Sequence, residues 1–244
     1  IPLRPASILP EVRAVLEARL AEGDQPVRCT IVGGGSVGVE CAFVLQRLLL
    51  GRSGRGVVTI VDAAPHVLGD LAPCREPAHS ALESRGICFV LGTRAVGVRS
   101  EGVMLASGAL LPSDLTVWAT GGAPPPLIAA SGLSHDADGR LLVDARLRAR
   151  SGAPVWAAGD CASIDASAGA DPWRHGEILS REIRAHLGAP RHRVPSPRAR
   201  PLCLLDTADG GAIVRWGPIT GRSRFAGWLK RRLDRRFVAR LATE

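Results

Sequence analysis

The sequence contains no tyrosine, one methionine and one lysine, Lys230, set against 30 arginines. It has no run of about 18 apolar residues, which excludes a membrane-spanning helix. The six cysteines, Cys29, Cys41, Cys74, Cys88, Cys161 and Cys203, include no C-x-x-C pair. A redox-active thiol within this stretch is not expected, and reduced, mostly buried thiols in a cytoplasmic protein are. No secretory signal is present. The chain opens on Ile1-Pro2-Leu3-Arg4 rather than Met, as the middle of a protein does. No P-loop, serine-hydrolase elbow or paired-carboxylate constellation occurs, and the histidines lack metal-ligand spacing.

The 244 residues suit one large domain or two ordinary ones, and 46% apolar with 22% charged residues is a globular composition. The net charge of +8 is unevenly placed. Residues 1–173 balance to −2, and residues 174–244 carry +10. A uniformly basic nucleic-acid binder is therefore not expected, and the question of an anionic partner moves to the C-terminal end.

Hydrophobic periodicity orders the rest. Val12, Val15, Leu16 and Leu20 have helical spacing. Val27–Val32 reads as a strand, Ser36 to Leu50 as a long apolar helix, and Val57–Val61 as a second buried strand: a βαβ unit with a parallel sheet. A helix over Cys74–Ser84 and a strand over 87–90 follow. Short β pieces at 95–99, 103–105 and 109–111 form an antiparallel meander, and Leu115–Ala119 returns as a buried strand. Leu141–Val143 and Val155–Ala158 read as strands, 173–187 as a helix, 202–205 and 212–216 as strands, and 225–241 as the last helix. The fold class is α/β, with a Rossmann-like domain, a second α/β portion, and a small β-plus-amphipathic-helix segment at the end.

Two motifs carry chemistry. Gly33-Gly34-Gly35-Ser36-Val37-Gly38 is a G-x-G-x-x-G that follows a strand and opens a helix, with Asp62 at the tip of the next strand. That context is the dinucleotide fingerprint. Gly33 makes the tight turn, Gly35 lets backbone approach a pyrophosphate, and Gly38 packs helix on sheet. The helix N-terminus meets the phosphates with free N–H groups. Asp62 would accept hydrogen bonds from the adenosine ribose and repel a 2′-phosphate. With Ala63 and Ala64 beside it, NADH is expected over NADPH, Arg52 and Arg55 being the cations that could offset this. Glu40, in the first turn of the helix, serves either helix electrostatics or the nicotinamide. The second motif, Val155-Trp156-Ala157-Ala158-Gly159-Asp160, places a carboxylate at a strand tip, where it suits a sugar or ribityl hydroxyl.

In the order G-G-G-x-x-G-x-E, strand-terminal acid, meander, Ala119-Thr120-Gly121 and Ala158-Gly159-Asp160, the chain resembles the pyridine-nucleotide-dependent FAD oxidoreductases with two dinucleotide-binding domains. Within them it looks most like the type II NADH dehydrogenase branch. The resemblance covers residues 27–187 well, and Trp216-Gly217-Pro218 with 233–237 is similar to that branch too. It implies that Gly33, Gly34, Gly35, Ser36, Val37, Gly38 and Asp62 bind NAD(H), and that Glu40 lies near the nicotinamide–flavin contact. It implies that Asp160 bonds the FAD ribityl chain, with Cys161 and Ala162 opening a helix beside it. Thr120, Gly121 and Gly159 count among the cofactor residues. The resemblance divides the chain into a helix and linker (1–26), an NADH-binding domain (27–119), the C-terminal part of an FAD-binding domain (120–190), a linker (191–201) and a C-terminal segment (202–244). The single G-x-G-x-x-G implies that a preceding FAD unit of about a hundred residues is absent, and with it half the FAD site. Asp171-Pro172-Trp173-Arg174-His175-Gly176 stands loosely where the family has an aromatic-rich stretch near the flavin. His175 is either a flavin or quinone contact or, more simply, a surface or helix-start residue. The implied activity runs from NADH through FAD to a quinone or similar acceptor. An NADH-binding regulatory module without turnover, and a disulfide or ferredoxin reductase, stand as alternatives.

Phe225, Leu229, Leu233, Phe237 and Leu241 make one apolar stripe on the final helix, with Trp228 beside it. Residues 222–240 hold eight basic residues and one acid. This suits the surface of an anionic membrane, on its cytoplasmic face. The competing readings are a stripe packed on the chain's own core or on a homodimer partner, and non-specific nucleic acid; no specific nucleic-acid module is recognised.

Overall fold

The structure is a computed structural model and describes residues 9–21, 25–52, 56–69, 71–122, 124–163, 172–190 and 202–241. The chain divides into two compact units, Ile1–Gly121 together with Leu202–Glu244, and Gly122–Pro201.

The first unit opens with α1 (Leu9–Ala21), β1 (Val27–Val32), α2 (Ser36–Arg52) and β2 (Gly56–Asp62). A 3-10 turn, Ala72–Cys74, leads into α3 (Arg75–Glu83). The helix expected over 74–84 is α3, and the 3-10 turn before it is an addition. Pro73 and Pro77 lack an N–H, which a helix start tolerates and a helix interior does not. Next come β3 (Cys88–Leu91), the meander β4 (Ala95–Arg99), β5 (Gly102–Leu105) and β6 (Leu110–Pro112), and then β7 (Leu115–Trp118).

Strands β3-β2-β1-β7 form one parallel sheet, in which Val32 stands beside Val61 and Trp118. Their near-continuous apolar runs follow from covering on both faces. Ile31, Ile60 and Val117 lie wholly buried with Val39, Ala42, Phe43 and Leu49 of α2 and Leu82 of α3. Each of the larger of these side chains contributes about 1.5–3 kcal/mol relative to exposure. The meander closes the unit at one end, where Val103 and Leu105 meet Val32 and Val61.

In the second unit, α4 (Pro126–Ala130), the two-residue strands β8 (Leu141–Leu142) and β9 (Ala162–Ser163), and α5 (Pro172–His186) surround a core of Leu141, Val143, Leu147, Ala149, Ala157 and Ile178. The strand expected over Val155–Ala158 is corrected here. Trp156 makes one isolated bridge to Arg148, Ala157 donates its N–H to Leu147 O, and Val155 is exposed. Apolar composition alone does not make a strand: among the described residues the neighbouring 147–149 stretch offers only two backbone hydrogen bonds, Ala157 N–H to Leu147 O and Ala149 N–H to Val155 O, too few for a ladder.

The chain then re-enters the first unit through β10 (Cys203–Asp206), β11 (Ala212–Trp216), β12 (Ile219–Ser223) and α6 (Arg224–Leu241). β12 was not expected, because Thr220-Gly221-Arg222-Ser223 has no apolar alternation. Register places it: Gly217 and Pro218 form a two-residue hairpin turn, with Trp216 opposite Ile219. Leu205 and Ile213 join the sheet's own core, so the antiparallel β10-β11-β12 sheet packs on the parallel domain. The linker expected over 191–201 lies outside the described residues.

Candidate functional site

At the end of β1 the Gly33 N–H donates to Val61 O (2.8 Å), and the chain turns with φ +113° at Gly33. A Cβ on Gly33 would lie 2.6 Å from Ala119 O, and one on Gly38 would lie 1.9 Å from Gly33 O. Both glycines are therefore required by the protein's own packing, where β7 and α2 press on the turn. Gly35 differs. A Cβ there meets nothing within 4 Å, and its φ is not in the left-handed region. No internal contact of Gly35 calls for glycine, whereas a ligand approaching the backbone from outside would.

Gly35 O accepts the N–H of Val39 (3.0 Å), which starts α2 and directs the earlier amides outward. Ser36 and Val37 lie at this mouth, Val37 46% exposed. Asp62, at the tip of β2, closes the turn from the other side. Its carboxylate accepts the Gly34 N–H at one oxygen and the Ala64 N–H at the other (2.7 Å). The carboxylate is thereby fixed in orientation while keeping further lone pairs for a ligand hydroxyl. Leu68, which the sequence reading missed, holds the turn as well. It donates its N–H to Gly34 O (2.8 Å) from a buried position with φ +54°. Left-handed backbone at a non-glycine residue costs about 1 kcal/mol or more and persists only where packing enforces it. Thr120 and Gly121 follow β7 on the exposed side of the same turn. Arg55 and the Arg52 side chain lie outside the described residues.

Glu40 faces the C-terminal segment. Its Oε1 accepts the Asp206 N–H (2.8 Å), and Lys230 Nζ of α6 lies 3.5 Å away. Lys230 also meets Asp234 Oδ2 (3.3 Å). Burial works against the ammonium charge, but the Glu40 and Asp234 carboxylates prevail and raise its pKa above the ordinary lysine value. Two further contacts grip the domain from the β10–β11 turn. Arg47 donates to Ala208 O, and Asp209 pairs with both Arg85 (2.5 Å) and Arg222. Burial opposes the Asp209 charge, yet the Thr207 hydroxyl, the Gly211 N–H and the two guanidiniums hold its carboxyl far below the usual range.

In the second unit, Gly159, with φ +71°, starts a single 3-10 turn through Asp160 to Cys161, and Asp160 is exposed. Cys161 Sγ donates to Ala158 O (3.1 Å). The expectation that Cys161 and Ala162 open a helix is corrected: Ala162 is extended (φ −106°, ψ 133°) and pairs with Leu141 in β9. His175 is near the start of α5 as expected but is not on the surface. It is 7% exposed, one turn from buried Ile178. Asp171 lies outside the described residues, as do the side chains of Pro172, Trp173 and Arg174.

Along α6, Ala226 is buried and a Cβ on Gly227 would lie 2.3 Å from Gly210 O, so this edge docks on the β10–β11 turn. The apolar stripe does not. Phe225 is 70% exposed, and Trp228, Leu233, Phe237 and Val238 are 42–62% exposed, beside exposed Arg231, Arg232, Arg235 and Arg236. The reading in which the stripe packs on the chain's own core is thus corrected for these residues. Glycine at 227 lets the helix approach by its small-residue edge, which turns the large side chains outward. The Leu241 side chain lies outside the described residues. Among the described residues no helix is long and apolar enough to cross a membrane, and no His/Cys/Asp/Glu cluster could hold a metal.

Comparison with known proteins places this geometry. The demethylphylloquinone reductase NdbB of Synechocystis is 30% identical over 141 residues, covering 56% of this chain and 34% of that protein. The sulfide:quinone oxidoreductase of Aquifex aeolicus superposes with a TM-score of 0.74 at 14% identity, covering 97% of this chain and 63% of that one. Putidaredoxin reductase, in its covalent complex with putidaredoxin, gives a TM-score of 0.64 at 20% identity, covering 88% and 51%. These structural likenesses concern the fold. The chain spans about a third of the length of the curated relatives it matches. Residues 12–184 match the pyridine nucleotide-disulphide oxidoreductase family, and the chain belongs to it.

Proposed function

We propose that the first unit binds NAD(H) at Gly33–Gly38 and Asp62, and that the chain works in electron transfer from NADH through FAD to a quinone. Gly35 carries the reading: a Cβ there meets nothing in the protein, at the outward end of α2 beside an oriented carboxylate. The site fits a dinucleotide in its donor set, with helix-start amides for the pyrophosphate and Asp62 for the ribose. Asp62, with Ala63 and Ala64, favours NADH over NADPH. Thr120, Gly121, Gly159, Asp160, Cys161 and Ala162 would contribute to holding FAD, with Asp160 as acceptor for a ribityl hydroxyl. FAD, when bound, supplies the acceptor for the nicotinamide hydride; the residues of this chain bind and orient. A quinone acceptor is favoured over a ferredoxin by the exposed apolar and basic face of α6. Its exposed aromatics and arginines suit an anionic bilayer, with a homodimer partner as the competing occupant.

The test is Gly35→Ala. Its melting temperature should stay within about 2 °C of wild type, since the added methyl has open space, while NADH affinity in a fluorescence titration falls about tenfold or more. Equal NADH affinity in the two proteins would remove the reading. A flavin absorbance spectrum separates turnover from simple binding, and loss of anionic-vesicle binding on deleting 222–244 tests the membrane surface.

A further inference from the structure

We propose that Lys230 is a charge-positioning residue of the dinucleotide site: it neutralises Glu40, whose negative charge would otherwise oppose the phosphates of the bound dinucleotide. The inference rests on the dinucleotide reading of the glycine turn.

Glu40 is the fifth residue of α2. Its backbone lies about 6 Å along the axis from the first helical amides, at a rise of about 1.5 Å per residue. Helix side chains lean toward the N-terminus, which brings the carboxylate closer still. There the helix presents partial positive charge, the feature that attracts a diphosphate. A full negative charge one turn away counters that field.

The fold meets this charge from two sides. The Asp206 N–H donates to Oε1 at 2.8 Å, and Lys230 Nζ stands 3.5 Å from the same oxygen. The two side chains are 23% and 30% exposed, so the pair is partly shielded from water and salt. Among the described residues Lys230 is the cation within 4 Å of Glu40. It reaches this position because Gly227 lets α6 seat closely on the β10–β11 turn. Asp234, 3.3 Å from the same ammonium, has a side chain 58% exposed, so solvent screens its charge better than that of Glu40. The neighbouring α6 residues Arg231, Arg232, Arg235 and Arg236 are exposed. The only lysine in the chain thus occupies a place where a compact ammonium meets two carboxylates at once, a task the longer planar guanidinium fits less well.

The experiment titrates the full chain with ADP-ribose and with adenosine, in wild type, Lys230→Met, Glu40→Gln and the double variant. Circular dichroism checks the fold. At low salt, Lys230→Met should bind ADP-ribose about three- to fivefold more weakly and adenosine equally well, because only the phosphates feel the unpaired carboxylate. Glu40→Gln keeps an acceptor for the Asp206 N–H and should bind ADP-ribose about twofold more tightly. The double variant should return to within about a factor of 1.5 of wild type. At about 0.3 M salt the Lys230→Met effect should shrink. Equal weakening of adenosine and ADP-ribose would make Lys230 merely structural and overturn the inference. So would unchanged ADP-ribose affinity in folded Lys230→Met. If Lys230→Met does not fold, Glu40→Gln decides alone, and weaker ADP-ribose binding there refutes the inference. Wild-type protein that binds no ADP-ribose sinks the dinucleotide reading itself, whereas wild-type binding with insensitive variants sinks this inference only.

Discussion

In the first unit a glycine turn is wedged between a strand and a helix, and in the second a glycine turn stands clear of its neighbours. Gly33 and Gly38 have backbone oxygens where a Cβ would go, and the following acid, Asp62, is tied by two backbone N–H groups. Gly159 has a left-handed φ with nothing within 4 Å of its Cβ position, and Asp160 beside it is exposed. Both motifs set an acid at the end of an apolar run beside a glycine turn, Asp62 through its bond to the Gly34 N–H and Asp160 directly after Gly159. The difference is the surrounding sheet. Paired strands on either side of β1 hold the first turn, while one isolated bridge at Trp156 flanks the second.

Valine substitution breaks the comparison most strongly. Gly38→Val inserts a branched side chain where even a Cβ would overlap Gly33 O, and should destabilise the first unit by about 3 kcal/mol or more. Gly159→Ala meets only the left-handed backbone cost, about 1–2 kcal/mol. Urea unfolding of both variants checks this; similar midpoints would mean that the two turns are equally constrained.

Affinity sharpens it next. Asp62→Asn keeps an acceptor for one backbone N–H but turns a donor toward the other or toward the ribose. NADH binding should weaken about tenfold, and preference over NADPH should fall. Asp160→Asn should leave NADH binding unchanged. A titration in which Asp160→Asn weakens NADH as much as Asp62→Asn would contradict the assignment of the nucleotide to the first unit.

The sequence carried most of this because the glycine turn, its flanking strands and Asp62 are local: period, turn chemistry and cap positions lie within one βαβ unit. The meander and the start of α6 were legible for the same reason. What escaped was long-range. Glu40 meets Asp206 and Lys230, Arg85 meets Asp209, and Leu68 bonds Gly34, and no local period announces which of the arginines and acids will pair. The Val155–Ala158 run misled for the complementary reason, since a strand's identity depends on a neighbour that local composition does not encode.

The smallest expected effect concerns acid, and it contrasts two depressed carboxyls. Asp209 in the first unit is held low against its own burial by Thr207, the Gly211 N–H, Arg85 and Arg222, groups from its own turn and from β12 and the end of α3. Asp136 in the second unit is held low chiefly by the Arg140 N–H of its own loop. A folded-state pKa below the unfolded value near 3.9 contributes stability that is present above that value and lost as pH falls through the folded pKa. Both aspartates therefore stabilise at neutral pH and cease to do so in strong acid. Only Asp209 joins separate elements, so only its loss should free the β10–β11 turn from α3. Its side chain is 39% exposed, and solvent screening limits the effect of Asp209→Asn to about 1 kcal/mol at pH 7. The variant should be less stable than wild type at pH 7, and the gap should narrow steadily as pH falls below about 4. Asp136→Asn should show the same sign of pH dependence with a smaller effect on stability, since its partners lie chiefly within its own loop. A wild-type–variant gap for Asp209→Asn that widens toward low pH would reverse the sign of the linkage, and the arginine clamp would then not be what ties the β10–β11 turn to the end of α3.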